Sequence, residues 1–129
     1  MSMPAETITR SVDGSFAHKK IFPATDTHPL RGEFAMVFLR LEPLPHGSGL
    51  KLEHALFGQV SKEFIRGAET GIREAAQQGV VAGGPVTDLC VTLTELRYHE
   101  VDSSEQAFAL AARGAFLHSL QKAGPKLVE

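Results

Sequence analysis

Tryptophan is absent from this sequence, and tyrosine and cysteine occur once each. A lone Cys90 cannot form an intrachain disulfide or supply a thiolate zinc site, which suits a reducing cytosol. No apolar run approaches the roughly 20 residues that a membrane-spanning helix needs. The stretch Met1 to Glu6 holds no apolar segment of the kind that marks a secretory signal. The formal charge is −2, so the overall basicity of a dedicated nucleic-acid binder is missing and any RNA contact must come from a local patch.

Catalytic signatures are missing too. No Gly-x-x-x-x-Gly-Lys-Ser/Thr loop is present, which excludes GTP binding through a P-loop. Gly83-Gly84 precedes a strand pattern rather than a helix, the wrong context for cradling a phosphate. Ser103 and Ser104 lack a nucleophile elbow. The six histidines do not fall at metal-ligand spacing. Glu100, Asp102 and Glu105 are too few oxygen ligands for a calcium loop, and no glycine lies among them. No metal site is expected.

What is present is a globular composition, 43% hydrophobic over 129 residues, enough for one modest core. Glu6 to Phe22 reads as extended, with Asp13-Gly14 as a hairpin signal between two halves. Pro23 to Pro29 reads as a loop. Phe34 to Glu42 alternates, with Ala35, Val37, Leu39 and Leu41 on one face and Phe34, Met36 and Phe38 on the other. Leu50 to Phe57 is a further strand. Ser61 caps a helix whose apolar stripe is Ile65, Ala68, Ile72, Ala75 and Ala76, with Glu69 and Arg73 placed to pair and Gly79 as its stop. Val86 to Leu96 alternates again. A second helix runs from about Ser104 to Lys122, with Asp102 or Ser103 as cap and Glu105 completing a capping-box pattern. Its stripe is Phe108, Ala112, Ala115, Phe116 and Ser119. Two striped helices and a sheet with one wetter face predict a two-layer α+β sandwich in a single domain, residues 1–129.

The most informative segment is Tyr98-His99-Glu100-Val101-Asp102-Ser103-Ser104-Glu105. It ends a strand, turns, and opens a helix. Leu41-Glu42-Pro43-Leu44, Glu63-Phe64-Ile65, Ala68-Glu69, Gly71-Ile72, Ala82-Gly83-Gly84-Pro85-Val86-Thr87-Asp88 and Pro125 to Glu129 accompany it. Together these motifs resemble domain IV of translation elongation factor G and its elongation-factor-G-like and tetracycline-resistance relatives, over nearly the whole chain. The resemblance implies a ribosomal protein S5 domain 2-like fold: a four-stranded sheet with both helices on one face and a left-handed β-α-β crossover, against the usual hand. It also implies a cytoplasmic, non-enzymatic module of a larger factor. The absent GTPase domain of that factor would carry GTP and Mg, and the isolated domain is expected to be a monomer without a cofactor.

The same resemblance implies a tip that enters the decoding (A) site and contacts small-subunit rRNA, tRNA and mRNA during translocation. The residues it points to are His99, Tyr98, Arg97, Glu100, Arg31, Gly32 and His28, supported by the helix cap at Asp102, Ser103 and Glu105. Three departures favour a divergent paralogue. The family's glycine-rich first loop is His28-Pro29-Leu30-Arg31-Gly32-Glu33-Phe34-Ala35 here, its Gly-Gly before the first helix is Gly58-Gln59, and its Asp-Gly-Ser before the tyrosine is Glu95-Leu96-Arg97. Ribosome recycling, or protection of the tetracycline type, is the alternative role. A small enzyme on the same superfamily fold is the rival of another class. All of this requires the turns near residues 30 and 99 to meet at one end of the sheet.

Overall fold

The computed structural model describes residues 4–128. The reading of Met1 to Glu6 as lacking a signal, and the closing motif at Glu129, therefore fall partly outside the described residues. The order of elements is β1 (Glu6–Thr7), β2 (Val12–Phe22), β3 (Arg31–Pro43), β4 (Leu50–His54), α1 (Lys62–Ala76), β5 (Leu89–Arg97), α2 (Glu105–Ala123) and β6 (Lys126–Leu127). Four strands form one mixed sheet in the order β2-β3-β5-β4, and β1 pairs with β6 in a separate two-stranded sheet. The pairs β2–β3 and β3–β5 are antiparallel, while β4 and β5 are parallel with α1 between them in sequence. Both helices cover one face, giving the two-layer α+β sandwich that the alternation predicts.

The core lies where the stripes meet. Ala35, Val37, Leu39 and Leu41 of β3 are at most 1% exposed, as are Leu89 and Val91 of β5. Phe108, Phe116 and Leu120 of α2 and Ile72 of α1 close over them. Full burial of each large side chain is worth roughly 1.5–3 kcal/mol.

Asp13-Gly14 is not a turn. β2 runs straight through it, with Asp13 opposite Arg40 and Gly14 opposite Leu39. The glycine is required for a different reason: a Cβ there would lie 1.8 Å from Ser119 Oγ. Close approach of α2 to β2, rather than chain reversal, fixes this residue. Glu6 and Thr7 consequently do not form a hairpin with β2. They pair with Leu127 and Lys126 near the other end of the chain.

α1 begins as expected, with the Ser61 hydroxyl accepting the Glu63 N–H at 3.3 Å. It stops at Ala76, before Gly79. A Cβ on Gly79 would meet the Glu6 carboxyl carbon at 2.2 Å. Glu69 and Arg73 form no ion pair among the described residues; Glu74 instead faces Arg113 of α2 at 3.9 Å.

β5 begins at Leu89 rather than Val86, because Asp88 takes a positive φ of 60°. A non-glycine residue holds that conformation when surrounding bonds over-determine it. The Asp88 carboxylate accepts the Gly47 and Gly49 N–H groups at 3.1 and 3.0 Å. The Gly49 bond is the main reason its pKa lies below the ordinary carboxylate range. Burial opposes the shift, and Gly47, His46 and Thr87 assist it. The unfolded chain therefore binds the proton more tightly. Asp88 stabilises the fold above pH about 4, and this contribution is lost as pH falls through the lower folded value. Asp88→Asn is expected to flatten the acid limb of stability against pH in urea titrations. An unchanged limb would remove Asp88 as its source.

Strict alternation fails once, on β5. Leu39 pairs with Leu93 but Phe38 pairs with Glu95, so Thr94 is an extra residue. This bulge reverses the phase. Leu96 turns inward, 7% exposed, opposite Val37, and Arg97 turns to the uncovered face opposite Met36.

Candidate functional site

The two turns do meet. β2 and β3 pair along their full length, from Val12–Leu41 to Phe22–Arg31. The turn after β5 is tied to β3 by the backbone. The Phe34 N–H donates to Asp102 O at 3.0 Å. The Ser103 hydroxyl donates to Phe34 O at 2.6 Å and accepts the His99 N–H at 3.0 Å. The His99 ring stacks on Phe34, with centroids 4.1 Å apart and planes 9° from parallel. Asp102 Oδ2 lies 3.9 Å from His99 Nδ1 and 3.3 Å from where a Gly32 Cβ would sit.

This corrects the expected cap. Ser104 is the N-cap of α2, accepting the Ala107 N–H at 3.0 Å. Glu105 sits in the first turn and binds Arg66 of α1 through Oε1. Asp102 and Ser103, expected as caps, stitch one turn to the other instead. The reason is geometric: the chain must leave β5, cross to β3 and only then enter α2. The polar residues before the helix are consumed in the crossing.

The expected site residues do not all share one surface. His99, Gly32, Asp102 and Arg97 border an open groove of about 490 Å³ with Lys19, Lys20, Phe34 and Met36. Arg97 lies on the uncovered sheet face, its guanidinium 4.7 Å above the Phe38 ring and paired with Glu95. Arg31 stands opposite Phe22, 3.8 Å from its ring and 3.9 Å from Glu33. Gly32 also lines a second hollow of about 460 Å³ with Ile21, Leu30, Arg31, Val101 and Asp102. Tyr98 points the other way, its ring 5.6 Å from Phe64 of α1. His28 stays within its own turn, its Nδ1 2.9 Å from Thr27 Oγ1 and its N–H on Thr25 Oγ1. Glu100 is exposed.

Lys19 and Lys20, which belong to the basic residues of the sequence, line the site together with Phe34. Lys19 pairs across strands with Phe34, its ammonium 5.7 Å from the ring. The signal was the alternation of β2, which becomes useful only once the register with β3 is known. Among the described residues, no three His, Cys, Asp or Glu gather to hold a metal. No described helix is long and apolar enough to cross a membrane.

The family model for "Elongation factor G, domain IV" matches residues 3–124. The chain belongs to that family. It is 43% identical over 125 residues to elongation factor G from Anaplasma marginale (strain Florida), covering 96% of this chain and 17% of that protein. It is 44% identical over 124 residues to elongation factor G from Orientia tsutsugamushi (strain Ikeda), covering 95% and 17%. A crystal structure from Thermus thermophilus superposes with a TM-score of 0.82 at 37% identity, covering 98% of this chain and 18% of that one. The chain thus spans about a sixth of the length of these relatives. An elongation factor G domain IV is part of a translation factor, and the α+β layering described above is the architecture shared with the superposed structure.

Proposed function

We propose that this domain is the ribosome-facing probe of an elongation-factor-G-like GTPase. Its tip enters the decoding site and contacts tRNA, mRNA or small-subunit rRNA during translocation. GTP and Mg belong to the remainder of such a factor. The observation that carries this reading is the fusion of two turns into one extremity by the Phe34–Asp102, Ser103–Phe34 and His99–Ser103 bonds. A probe must keep its shape while pushing into a crowded site. Bonds that pin the loops in advance reduce the ordering cost of contact. The chemistry available is steric occupation with local positive charge rather than bond-making.

His99 is the side chain to test. It is half-exposed, held by its stack on Phe34, and presents one ring face outward. Loss of a stacked ring costs roughly 1–3 kcal/mol, so His99→Ala in the full-length factor is expected to slow single-turnover translocation about tenfold or more. GTP hydrolysis should be unchanged, because the substitution leaves the GTPase domain untouched. Translocation at the parental rate would remove His99 from the contact set. Translocation by a factor lacking residues 23–30 and 99–102 would remove the probe reading altogether.

A further inference from the structure

The sheet face opposite the helices is uncovered, and its residues form a pattern. Phe34, Met36 and Phe38 of β3 project from it and remain partly exposed. Arg97 lies over Phe38, held there by Glu95, and Lys19 lies over Phe34. The Phe34 ring is already stacked against His99. The face therefore carries two stacked units, Arg97 on Phe38 and His99 on Phe34. Met36, paired with Arg97 across the strands, lies between the two rings in β3. Among the described residues, Lys19 pairs with no carboxylate.

We infer that this face binds the bases of single-stranded RNA, one stacked on the Arg97 guanidinium above Phe38 and one on the outer face of His99. The phosphates between them lie against Lys19. The inference rests on the probe reading and extends it from the extremity to the flank of the domain. A guanidinium plane over a ring is a ready surface for a base, and single-stranded RNA is recognised by such stacking beside cations. A protein partner fits less well, since the cores of protein interfaces are depleted in lysine. The bulge at Thr94 is what makes the platform, because without the phase reversal Arg97 would face the helices.

Amide chemical-shift mapping of this chain with a short unstructured uridine oligomer at low salt tests the idea. Shifts are expected at Ala17, Lys19, Met36, Phe38 and Arg97. Phe38→Leu keeps an apolar side chain and removes the ring. It should weaken binding several-fold, as should Arg97→Ala. An abasic ribose-phosphate oligomer of equal length should bind about tenfold more weakly, since stacking is lost and charge is kept. Equal binding of the abasic oligomer would overturn the stacking claim. Shifts confined to residues 23–30 and 99–102 would overturn the platform and leave the tip standing. No shifts at any amide would also overturn it, and translocation by the full-length factor would then decide separately on the probe.

Discussion

Glu6→Ala is expected to destabilise this domain by about 3 kcal/mol, a drop of about 10 °C in Tm. Glu6 is fully buried. Its carboxylate accepts three consecutive backbone N–H groups, from Val80 at 2.9 Å, Val81 at 2.8 Å and Ala82 at 3.0 Å. Its own backbone is bonded on both sides, N–H to Pro85 O and O to Thr87 N–H, each at 2.8 Å. Removing the side chain leaves three donors without an acceptor, each worth roughly 1–3 kcal/mol if dry. The segment 80–82 is partly exposed, so water recovers part of that loss and the lower end applies. Glu6→Gln keeps the volume but places an amide donor among donors, and should lose at least half as much. Glu74→Ala, which removes only the long surface pair with Arg113, should stay within about 1 kcal/mol. Urea midpoints read all three. A Glu6→Ala variant within about 1 kcal/mol of the parent would show that the cradle is not a structural anchor.

The cradle also shows where reading from sequence stopped. Both helices and the strands β3 and β5 were legible, because their apolar periods are clear and each is buried on one face only. The fused tip was legible through the resemblance alone, since nothing in the composition brings residue 30 to residue 99. Polar residues were recognised by type and misassigned by partner. Ser103 looks like a cap and is a cross-link; Asp13-Gly14 looks like a turn and is a seat for Ser119. In each case the residue's local preference fits two uses, and only the long-range register decides between them. Glu6 was invisible for a stronger reason. Its partners are three backbone amides whose alignment depends on the path of residues 77–85, which side-chain identities do not encode. The bulge at Thr94 belongs to the same group. Leu93 and Leu96 both point inward, a spacing that reads as a broken alternation until β3 is laid beside it.

Gly71→Ala sets two known effects against each other, and their magnitudes choose the sign. In an isolated helix alanine is better than glycine by about 1 kcal/mol. Here α1 lies against α2 at its glycines. A Cβ on Gly71 would sit 2.1 Å from Ala109 O and 2.8 Å from its carbonyl carbon. Gly67 stands in the same relation to Glu105 O, at 2.3 Å. The obstacle is backbone, so no rotamer change relieves it, and the helices must part. α2 cannot simply retreat. Its other side is pinned to β2, where Gly114 admits the Phe16 ring and Ser119 fills the space over Gly14. Overpacking of this kind costs roughly 1–3 kcal/mol and more where the backbone must move. Net destabilisation of about 2 kcal/mol is therefore expected for Gly71→Ala. Gly67→Ala should be similar, and the double variant should lose less than the sum, because one outward shift of α1 relieves both contacts. The Gly67 variant carries a further consequence. Its clash falls on Glu105, the first residue of α2, directly after the cross-links at Asp102 and Ser103. The tip should register the strain as faster amide exchange at His99 and Phe34, which Gly71→Ala one turn away should leave nearly unchanged. A Gly71→Ala protein more stable than the parent would mean that propensity dominates and that the helix pair is looser than its geometry implies.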